Sequence, residues 1–229
     1  MKRILFILSI VAGAMMVSCN PDDDNNNNNG GSNGNGGGNG QYNGHEWVDL
    51  GLPSGVKWAT CNVGASSPEE YGNYYAWGET STKETYDEDN CPTDGLSESE
   101  LQSQGYIDSE GNLTSQYDAA TANWGGDWRI PTKAEQQELI DNCTWEWTIQ
   151  NGVNGYKVTG PNGNSIFLPA ACYRDGSSHD CAGEFGNYWS STPNESGSDG
   201  AYDLFFYSGF QCVNWYYRNY GLSVRPVAE

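Results

Sequence analysis

The chain has 229 residues and a formal net charge of −20, with 30 acidic residues against 10 basic ones. The surface of so acidic a chain repels phosphate backbones and anionic lipid headgroups, which argues against nucleic-acid binding. Only 17% of the residues are charged, whereas 30 are glycine, 15 tyrosine and 9 tryptophan. This composition is typical of one loop-rich β domain with an aromatic core, and it argues against a helical bundle.

The first 18 residues have the pattern of a lipoprotein signal peptide. Lys2 and Arg3 precede an apolar run, residues 4–17, that is too short to span a membrane, and Cys19 follows closely. This ending resembles the lipobox of bacterial lipoproteins, in which the cysteine is acylated, although Met16 replaces the usual leucine. We therefore expect lipidation at Cys19; an ordinary secretory signal with an incidental cysteine is the alternative.

Residues 19–44 are expected to form a disordered tether rich in Asp, Asn and Gly. Removing residues 1–18 leaves 8 basic against 30 acidic residues, or a charge of −22. The acidic run Asp22-Asp23-Asp24 resembles the surface-export signal of Bacteroidota lipoproteins. We expect an outer-membrane lipoprotein that faces the cell exterior and touches the membrane only through its lipid anchor.

Residues 45–229 are expected to form one domain, interrupted by a polar, acidic surface insertion at about 83–116. Its first half predicts two strands within 45–64, joined at a Pro-Ser-Gly turn, and a short helix from Ser67 to Gly72. A further helical turn, leading into a glycine corner, is expected at residues 117–126.

The clearest helix start is the capping box of Thr132 and Glu135, and this helix should run to about Asp141 and bury Leu139 and Ile140. Three strands should follow, with Asn-Gly turns. The strands are 145–150, 156–159 and 165–169, and the turns are 154–155 and 162–163.

The C-terminal region predicts a β-hairpin, residues 201–208 and 211–218, with a turn at Ser208-Gly209-Phe210. One face must be core, and we expect Trp215 to belong to it. The other face presents large rings and short amides, the composition that antigen-binding loops use. We interpret it as a binding face; a hairpin buried on both sides under a loop is the alternative.

Six cysteines remain after Cys19, an even number that suits an oxidising compartment. Cys172 and Cys181 flank a short loop and are the most direct candidates for a disulfide, while Cys61 and Cys143 are equally compatible with free thiols. The sequence has no CxxC motif and its two histidines are far apart, so we predict no metal site. Calcium binding through acidic loops stays open.

Five ordered motifs resemble the Fibrobacter succinogenes major paralogous domain, which is abundant in Bacteroidota lipoproteins. The resemblance implies an α+β, C-type lectin-like fold, with twisted antiparallel sheets, two short helices and long irregular loops. The motifs are residues 44–78, 128–132 (WRIPT), 166–171 (IFLPAA), 186–192 (GNYWSST) and 221–227 (GLSVRPV).

The last motif and the hairpin before it are also similar to variable proteins of diversity-generating retroelements. In those proteins, mutagenesis of Asn codons leaves Asn, Asp, Tyr, Phe, Ser or Cys at exposed alternate positions. Ordinary family members also carry Tyr and Asn at these positions. The segment is therefore compatible with a diversified protein and with an ordinary member of the family. The predicted ligand-binding residues are Asp203, Phe205, Tyr207, Phe210, Asn214, Tyr216, Tyr217, Asn219 and Tyr220, with Cys212 among the variable positions.

A catalytic role has little support in the sequence. His45 lies next to the tether and His179 lies in the loop between Cys172 and Cys181, so neither is placed beside a nucleophile. We expect a non-enzymatic protein without a cofactor that binds a protein or glycan partner at the cell surface. A structural envelope or adhesin subunit is the alternative, and an enzyme related to formylglycine-generating enzymes is a more remote one.

Overall fold

The computed structural model describes residues 38–179 and 181–229, and the predicted signal peptide, Cys19 and most of the predicted tether lie outside them. The described residues form an α+β fold dominated by strands. Its helices are α1 (Glu98–Ser103), α2 (Ala119–Trp124) and α3 (Lys133–Asn142). Its strands are β1 (Asn39–Tyr42), β2 (His45–Asp49), β3 (Lys57–Ala59), β4 (Tyr74–Tyr75), β5 (Thr144–Gln150), β6 (Val153–Thr159), β7 (Ser165–Pro169), β8 (Tyr173–Arg174), β9 (Phe185–Pro193), β10 (Gly200–Tyr207), β11 (Phe210–Tyr217), β12 (Gly221–Ser223) and β13 (Val227–Ala228).

The strands form three sheets within the described part of the chain. The first has the order β1-β2-β3-β13, and the third is the meander β5-β6-β7. The second has the order β11-β10-β9-β12-β4, with β8 paired to β12. Because β10 lies between β9 and β11, its side chains are flanked on both sides, whereas β11 is an edge strand.

The core is aromatic, as the composition predicts. Trp58, Trp77, Trp128 and Trp189 are fully buried. Two of the motifs that suggest the family resemblance contribute Trp128 and Trp189 to this core. A third contributes the buried Arg225, whose guanidinium donates to the carbonyls of residues 59, 60 and 167 and to a neighbouring asparagine.

Helix α3 confirms the predicted capping box. The Thr132 hydroxyl accepts from the Glu135 backbone N–H, and the Glu135 carboxylate accepts from the Thr132 backbone N–H. Leu139 is fully buried, whereas Ile140 is only half-buried. Helix α2 matches the predicted helical turn and ends at Gly125, which has a positive φ of 70°.

Two local predictions are wrong. Residues 67–72 form a turn and not a helix, because the Glu70 carboxylate binds back to the Ser66 hydroxyl and backbone N–H. The turn between β5 and β6 is Asn151-Gly152, where both residues have positive φ, and the predicted turn Asn154-Gly155 lies inside β6. The sequences Asn151-Gly152 and Asn154-Gly155 both suit a tight hairpin turn. Because β6 pairs with β7 as well as with β5, Asn154-Gly155 is part of a strand and the turn forms at Asn151-Gly152.

The acidic insertion is not confined to the surface. Leu101, Ile107 and Leu113 are buried and join the same cluster as Trp189 and Ala201 of the second sheet. The segment therefore covers one end of that sheet. Among the described residues, no helix has the length and apolar character needed to cross a membrane.

Candidate binding face

The predicted hairpin is present. Strands β10 and β11 pair from Gly200↔Tyr217 to Tyr207↔Phe210, and Ser208-Gly209 forms a two-residue loop. Gly209 has a φ of 88° and open space where a Cβ would lie, so the turn needs glycine for its backbone conformation and not for room.

One side of the hairpin is core. Leu204 and Phe206 are fully buried there, and α3 packs against β9, β10 and β11. The Gln136 amide of α3 donates to the carbonyls of Tyr188 and Trp189, which fixes the helix to β9. Gly186 of β9 permits this packing, since a Cβ there would lie 2.0 Å from the Phe206 ring.

The opposite side is named the open face. It consists of side chains that alternate with Leu204 and Phe206 on β9, β10 and β11, except Trp189 and Ala201, which lie on the same side but are fully buried in a second core cluster. These are Phe185, Asn187, Asp203, Phe205, Tyr207, Phe210, Cys212, Asn214 and Tyr216.

Four rings form a cluster at the turn end of the open face. Phe185 stacks with Phe205 at a centroid distance of 6.0 Å, and Tyr207 stacks with Phe210 at 5.2 Å. Tyr207 and Phe210 are 41% and 42% exposed. Their contacts with one another hold the rings in place and leave their outer surfaces open to solvent.

A second aromatic cluster lies at the other end of the open face. Tyr173 of β8 approaches Tyr216 at 4.8 Å and Tyr220 at 5.5 Å, and the last two are 5.2 Å apart. Burial raises the pKa of the Tyr216 hydroxyl strongly and that of Tyr220 to about 12. These hydroxyls are therefore neutral hydrogen-bonding groups at physiological pH.

Between the two clusters lies a buried polar pair. The Asn187 amide Nδ2 donates to Asp203 Oδ2 at 2.8 Å. Asp203 Oδ1 and Asn187 Oδ1 are buried and make no hydrogen bond to any described residue. Burial raises the pKa of Asp203 to about 7, opposed by the hydrogen bond from Asn187.

The nine predicted ligand-binding residues do not all lie on the open face. Phe205, Tyr207, Phe210, Asn214 and Tyr216 lie on the open face and are exposed or half-buried. Half-buried Tyr220 lies beside them in the second aromatic cluster.

Four positions differ from the expectation. Asp203 is fully buried because it lies in the central strand, and Asn219 is buried in the turn after β11. Tyr217 lies on the opposite side beside Trp215, at a ring distance of 5.7 Å. Trp215, predicted as core, is 42% exposed, because β11 is the edge strand and only part of the ring packs, over Gly200.

Three residues of this region were not predicted from the sequence. They are Tyr173, Phe185 and Asn187. Alternation along β9 could have placed Phe185 and Asn187 together, since they differ by two positions. Tyr173 carries no such signal, because only the pairing of β8 with β12 brings it there.

The disulfide between Cys172 and Cys181 is confirmed, with a Cα–Cα distance of 5.5 Å. It closes the loop that contains Tyr173 and so helps to place that ring. The remaining cysteines of the described residues are free, as the alternative for Cys61 and Cys143 allowed. Cys212, in the middle of the open face, is half-buried.

Both histidines have structural contacts. His45 stacks on Trp124 at 3.7 Å, and His179 is hydrogen-bonded to the Tyr74 hydroxyl at 2.6 Å. Within residues 38–179 and 181–229, no group of three or more His, Cys, Asp or Glu side chains could hold a metal ion.

A shallow cleft of about 440 Å³ lies away from the open face, between α2 and the C-terminal end. Its charged groups are already engaged. The Arg129 guanidinium makes two bonds to Glu135, and both carboxylate oxygens of Asp118 accept backbone N–H groups. The cleft therefore offers fewer unpaired groups to a ligand than the open face does.

Comparison of the chain with protein-family models, with curated proteins and with solved structures found no match.

Proposed function

We propose that this protein is a lipoprotein, acylated at Cys19 and displayed on the outer surface of the cell, whose open face binds a protein or glycan partner. The domain is proposed to be C-type lectin-like, in keeping with its short antiparallel sheets, few helices and long irregular connections. The binding role belongs to the hairpin and not to the cleft near Arg129.

One observation carries this proposal. Tyr207 and Phe210 expose about two fifths of their surface at the turn end of the hairpin, on the side opposite to the buried Leu204 and Phe206. Exposed rings that cluster in this way mark interaction surfaces, because a ring buries a large area on binding and loses few rotamers. The half-buried Asn214 and the tyrosine hydroxyls add hydrogen-bonding groups beside them.

Diversification of this face is the finer part of the proposal. Phe205, Tyr207, Cys212, Asn214 and Tyr216 alternate along the hairpin and lie on one face. Their residue types are those that mutagenised Asn codons produce. A reverse transcriptase gene nearby, with a template repeat matching the DNA for residues 202–227, would support this part, and its absence would argue for an undiversified face.

The binding proposal is tested by screening the full chain against arrays of glycans and of extracellular proteins. The test variant is Tyr207→Ala with Phe210→Ala. The matched control is Ile149→Ala, because Ile149 is the most exposed of the large hydrophobic side chains, at 66%, and lies on β5 in a different sheet.

Saturable binding that the double variant loses and the control retains would support the proposal. Binding that survives in the double variant would place the site elsewhere. A chain that captures no partner on either array would favour the alternative of a structural envelope subunit. Circular dichroism melting of each variant identifies any loss of binding that comes from unfolding.

A further inference from the structure

We propose that the free edge of β11 pairs with the same strand of a second copy of this chain, so that two domains share one continuous antiparallel sheet. This inference goes beyond the proposed function and does not depend on it, because the edge consists of backbone groups and the open face of side chains. It begins from the place of β11 at the end of the second sheet, where only β10 lies beside it.

The backbone of β11 has groups that point away from the sheet. In a hairpin with a two-residue loop, the residues beside the loop exchange hydrogen bonds, and such pairs alternate along the strands. The loop here is Ser208-Gly209, and the register continues without a bulge over the whole of β11. Gln211, Val213 and Trp215 therefore direct their N–H and C=O groups outward, and none of these groups bonds to the backbone of any other described residue.

This edge lacks the features that normally protect an edge strand. A row of unpaired N–H and C=O groups is a template for another strand, and proteins shield it with a charge, a proline, a bulge or a very short strand. β11 has eight residues, FQCVNWYY, and none of these features. None of its residues is buried. The next longest edge strand in the described part of the chain, β5, carries Glu146 near its middle.

The sequence of β11 is self-complementary about Val213. Only an antiparallel pairing centred on this residue brings the three outward residues of one copy opposite the same three of the other. The three N–H and three C=O groups of each copy can then all be paired. The opposed side chains are Val213 with Val213, Gln211 with Trp215, Cys212 with Asn214, and Phe210 with Tyr216. A ring meets a ring at each end and no charge meets a like charge, both of which favour a strand pair.

The exposed rings of the domain concentrate at the same edge. Most of the large hydrophobic side chains that are exposed in the described residues lie on β11 or beside its turn, namely Tyr207, Phe210, Trp215 and Tyr217. A second copy covers Phe210 and Trp215 of both chains at once. A basic strand of another protein would be attracted to the acidic surface elsewhere, because β11 itself carries no charge. The uncharged, self-complementary edge thus favours a second copy.

Pairing at this edge also fixes the direction in which the two open faces point. The two-fold axis of an antiparallel strand pair is perpendicular to the sheet, so both open faces lie on the same side of the joined sheet. Phe210 of one copy then lies beside Tyr216 of the other, which joins the aromatic clusters of the two copies. A dimer therefore presents two binding faces side by side, and a partner with repeated epitopes would bind it with higher avidity.

The test is sedimentation equilibrium of the full chain carrying Cys19→Ser, so that no acyl chain contributes, under reducing conditions. We expect a reversible monomer–dimer equilibrium between about 1 µM and about 300 µM. Raising the salt concentration from about 50 mM to about 500 mM should strengthen it, because salt screens the repulsion between two acidic copies. A chain that is still monomeric at the highest concentration, or a dimer that weakens with salt, would overturn the inference.

Two proline variants distinguish pairing at β11 from association elsewhere. Val213→Pro removes the outward N–H at the centre of the pairing and breaks no bond to β10, so it should raise the dimer dissociation constant by about tenfold or more. Ile149→Pro removes an equivalent outward N–H from the edge strand β5 and should change the constant by less than about twofold. Equal dissociation constants for the two variants would mean that the copies meet at another surface, contrary to the inference.

Amide hydrogen exchange needs no variant and decides the matter if Val213→Pro does not fold. In the dimer, the amides of Gln211, Val213 and Trp215 should exchange at least about tenfold more slowly than in the monomer, while the amide of Ile149 keeps its rate. Unchanged rates at the three β11 amides would refute the pairing. Protection of these amides only after a partner from the arrays is added would show that the edge receives a strand of another protein.

The outcome for the dimer is separate from the outcome for the open face. A chain that stays monomeric but binds an array partner through Tyr207 and Phe210 would leave the proposed function standing while this inference fails. A dimer that binds no array partner would support the inference and argue against the proposed function.

Discussion

Asn187 donates a 2.8 Å hydrogen bond from its amide nitrogen to Asp203 Oδ2, while Asp203 Oδ1 and the Asn187 amide oxygen are buried without a hydrogen bond to any described residue. The pair lies on neighbouring strands between two clusters of aromatic rings. A folded protein ordinarily pairs its buried polar groups, and among the described residues only a few buried side-chain atoms lack a partner, two of them in this pair.

Replacing Asp203 with asparagine should make stability less dependent on pH. In the folded chain the pKa of Asp203 is about 7, above the usual value of 3.8, so folding favours the protonated form. Its stabilising effect is complete below about pH 4 and is lost as the pH rises through 7. The loss amounts to at most about 1.4 kcal/mol per unit of pKa shift.

The measurement is the free energy of unfolding in urea at pH 5 and pH 8, compared between the two chains. Glu110→Gln is the control, because Glu110 is exposed and its loss should leave the pH dependence of stability unchanged. An identical pH dependence with and without Asp203 would refute the assignment.

Gly186→Ala should destabilise the hairpin. The added Cβ would lie 2.0 Å from the Phe206 ring, which is fully buried and cannot move aside without disturbing the core. We expect a loss of about 1–3 kcal/mol, measured by chemical denaturation. A second change, Phe206→Leu, should recover part of this loss by making room. No recovery in the double variant would show that the cost has another origin.

Arg218→Met should destabilise the protein strongly. The guanidinium donates to four carbonyls, which join the hairpin end to the acidic insertion, and methionine leaves them without donors. Because each unpaired buried acceptor costs about 1–3 kcal/mol, we expect a loss of about 3 kcal/mol or more. The partners are the carbonyls of residues 93, 96, 198 and 200.

The control for this change is Lys57→Met, which removes a partly exposed ion pair with Asp49 and should cost less than about 1 kcal/mol. Thermal melting followed by circular dichroism measures both. Equal melting temperatures for the two variants would contradict the role given to Arg218.

Cys19→Ser should release the protein from the membrane as a folded, soluble chain, because the acyl chains are the proposed anchor. Fractionation of cells and immunoblotting measure this, with Cys143→Ser as the matched control that stays membrane-bound. Replacing Asp22, Asp23 and Asp24 with alanine should keep the chain on the membrane but protect it from protease added to whole cells. Retention of the Cys19→Ser chain in membranes would be incompatible with acylation at this residue.

Local sequence signals predicted the hairpin, helix α3 and the disulfide loop well. Alternation over residues 201–208, the capping box of Thr132 and Glu135, and the short spacing of Cys172 and Cys181 each act between residues close in the chain. The exposure of individual residues was harder to predict, because it depends on strand order.

Asp203 and Trp215 illustrate that limit. Their alternation is correct, but Asp203 lies in a strand flanked on both sides and Trp215 lies in an edge strand, so the polar residue is buried and the indole is exposed. Tyr173 joins the face only through β8 and β12, a pairing between segments almost 50 residues apart. No periodicity within a short window contains that information.

The alkylation rates of two free cysteines test binding at the open face most directly. Cys212 lies in the middle of the face, and Cys143 lies between α3 and β5; both are half-buried, and burial raises the pKa of both thiols. With a saturating amount of a partner captured on the arrays, alkylation of Cys212 should slow by about tenfold or more while Cys143 reacts at an unchanged rate. Equal rates at Cys212 with and without the bound partner would contradict the proposal that this face is the binding site.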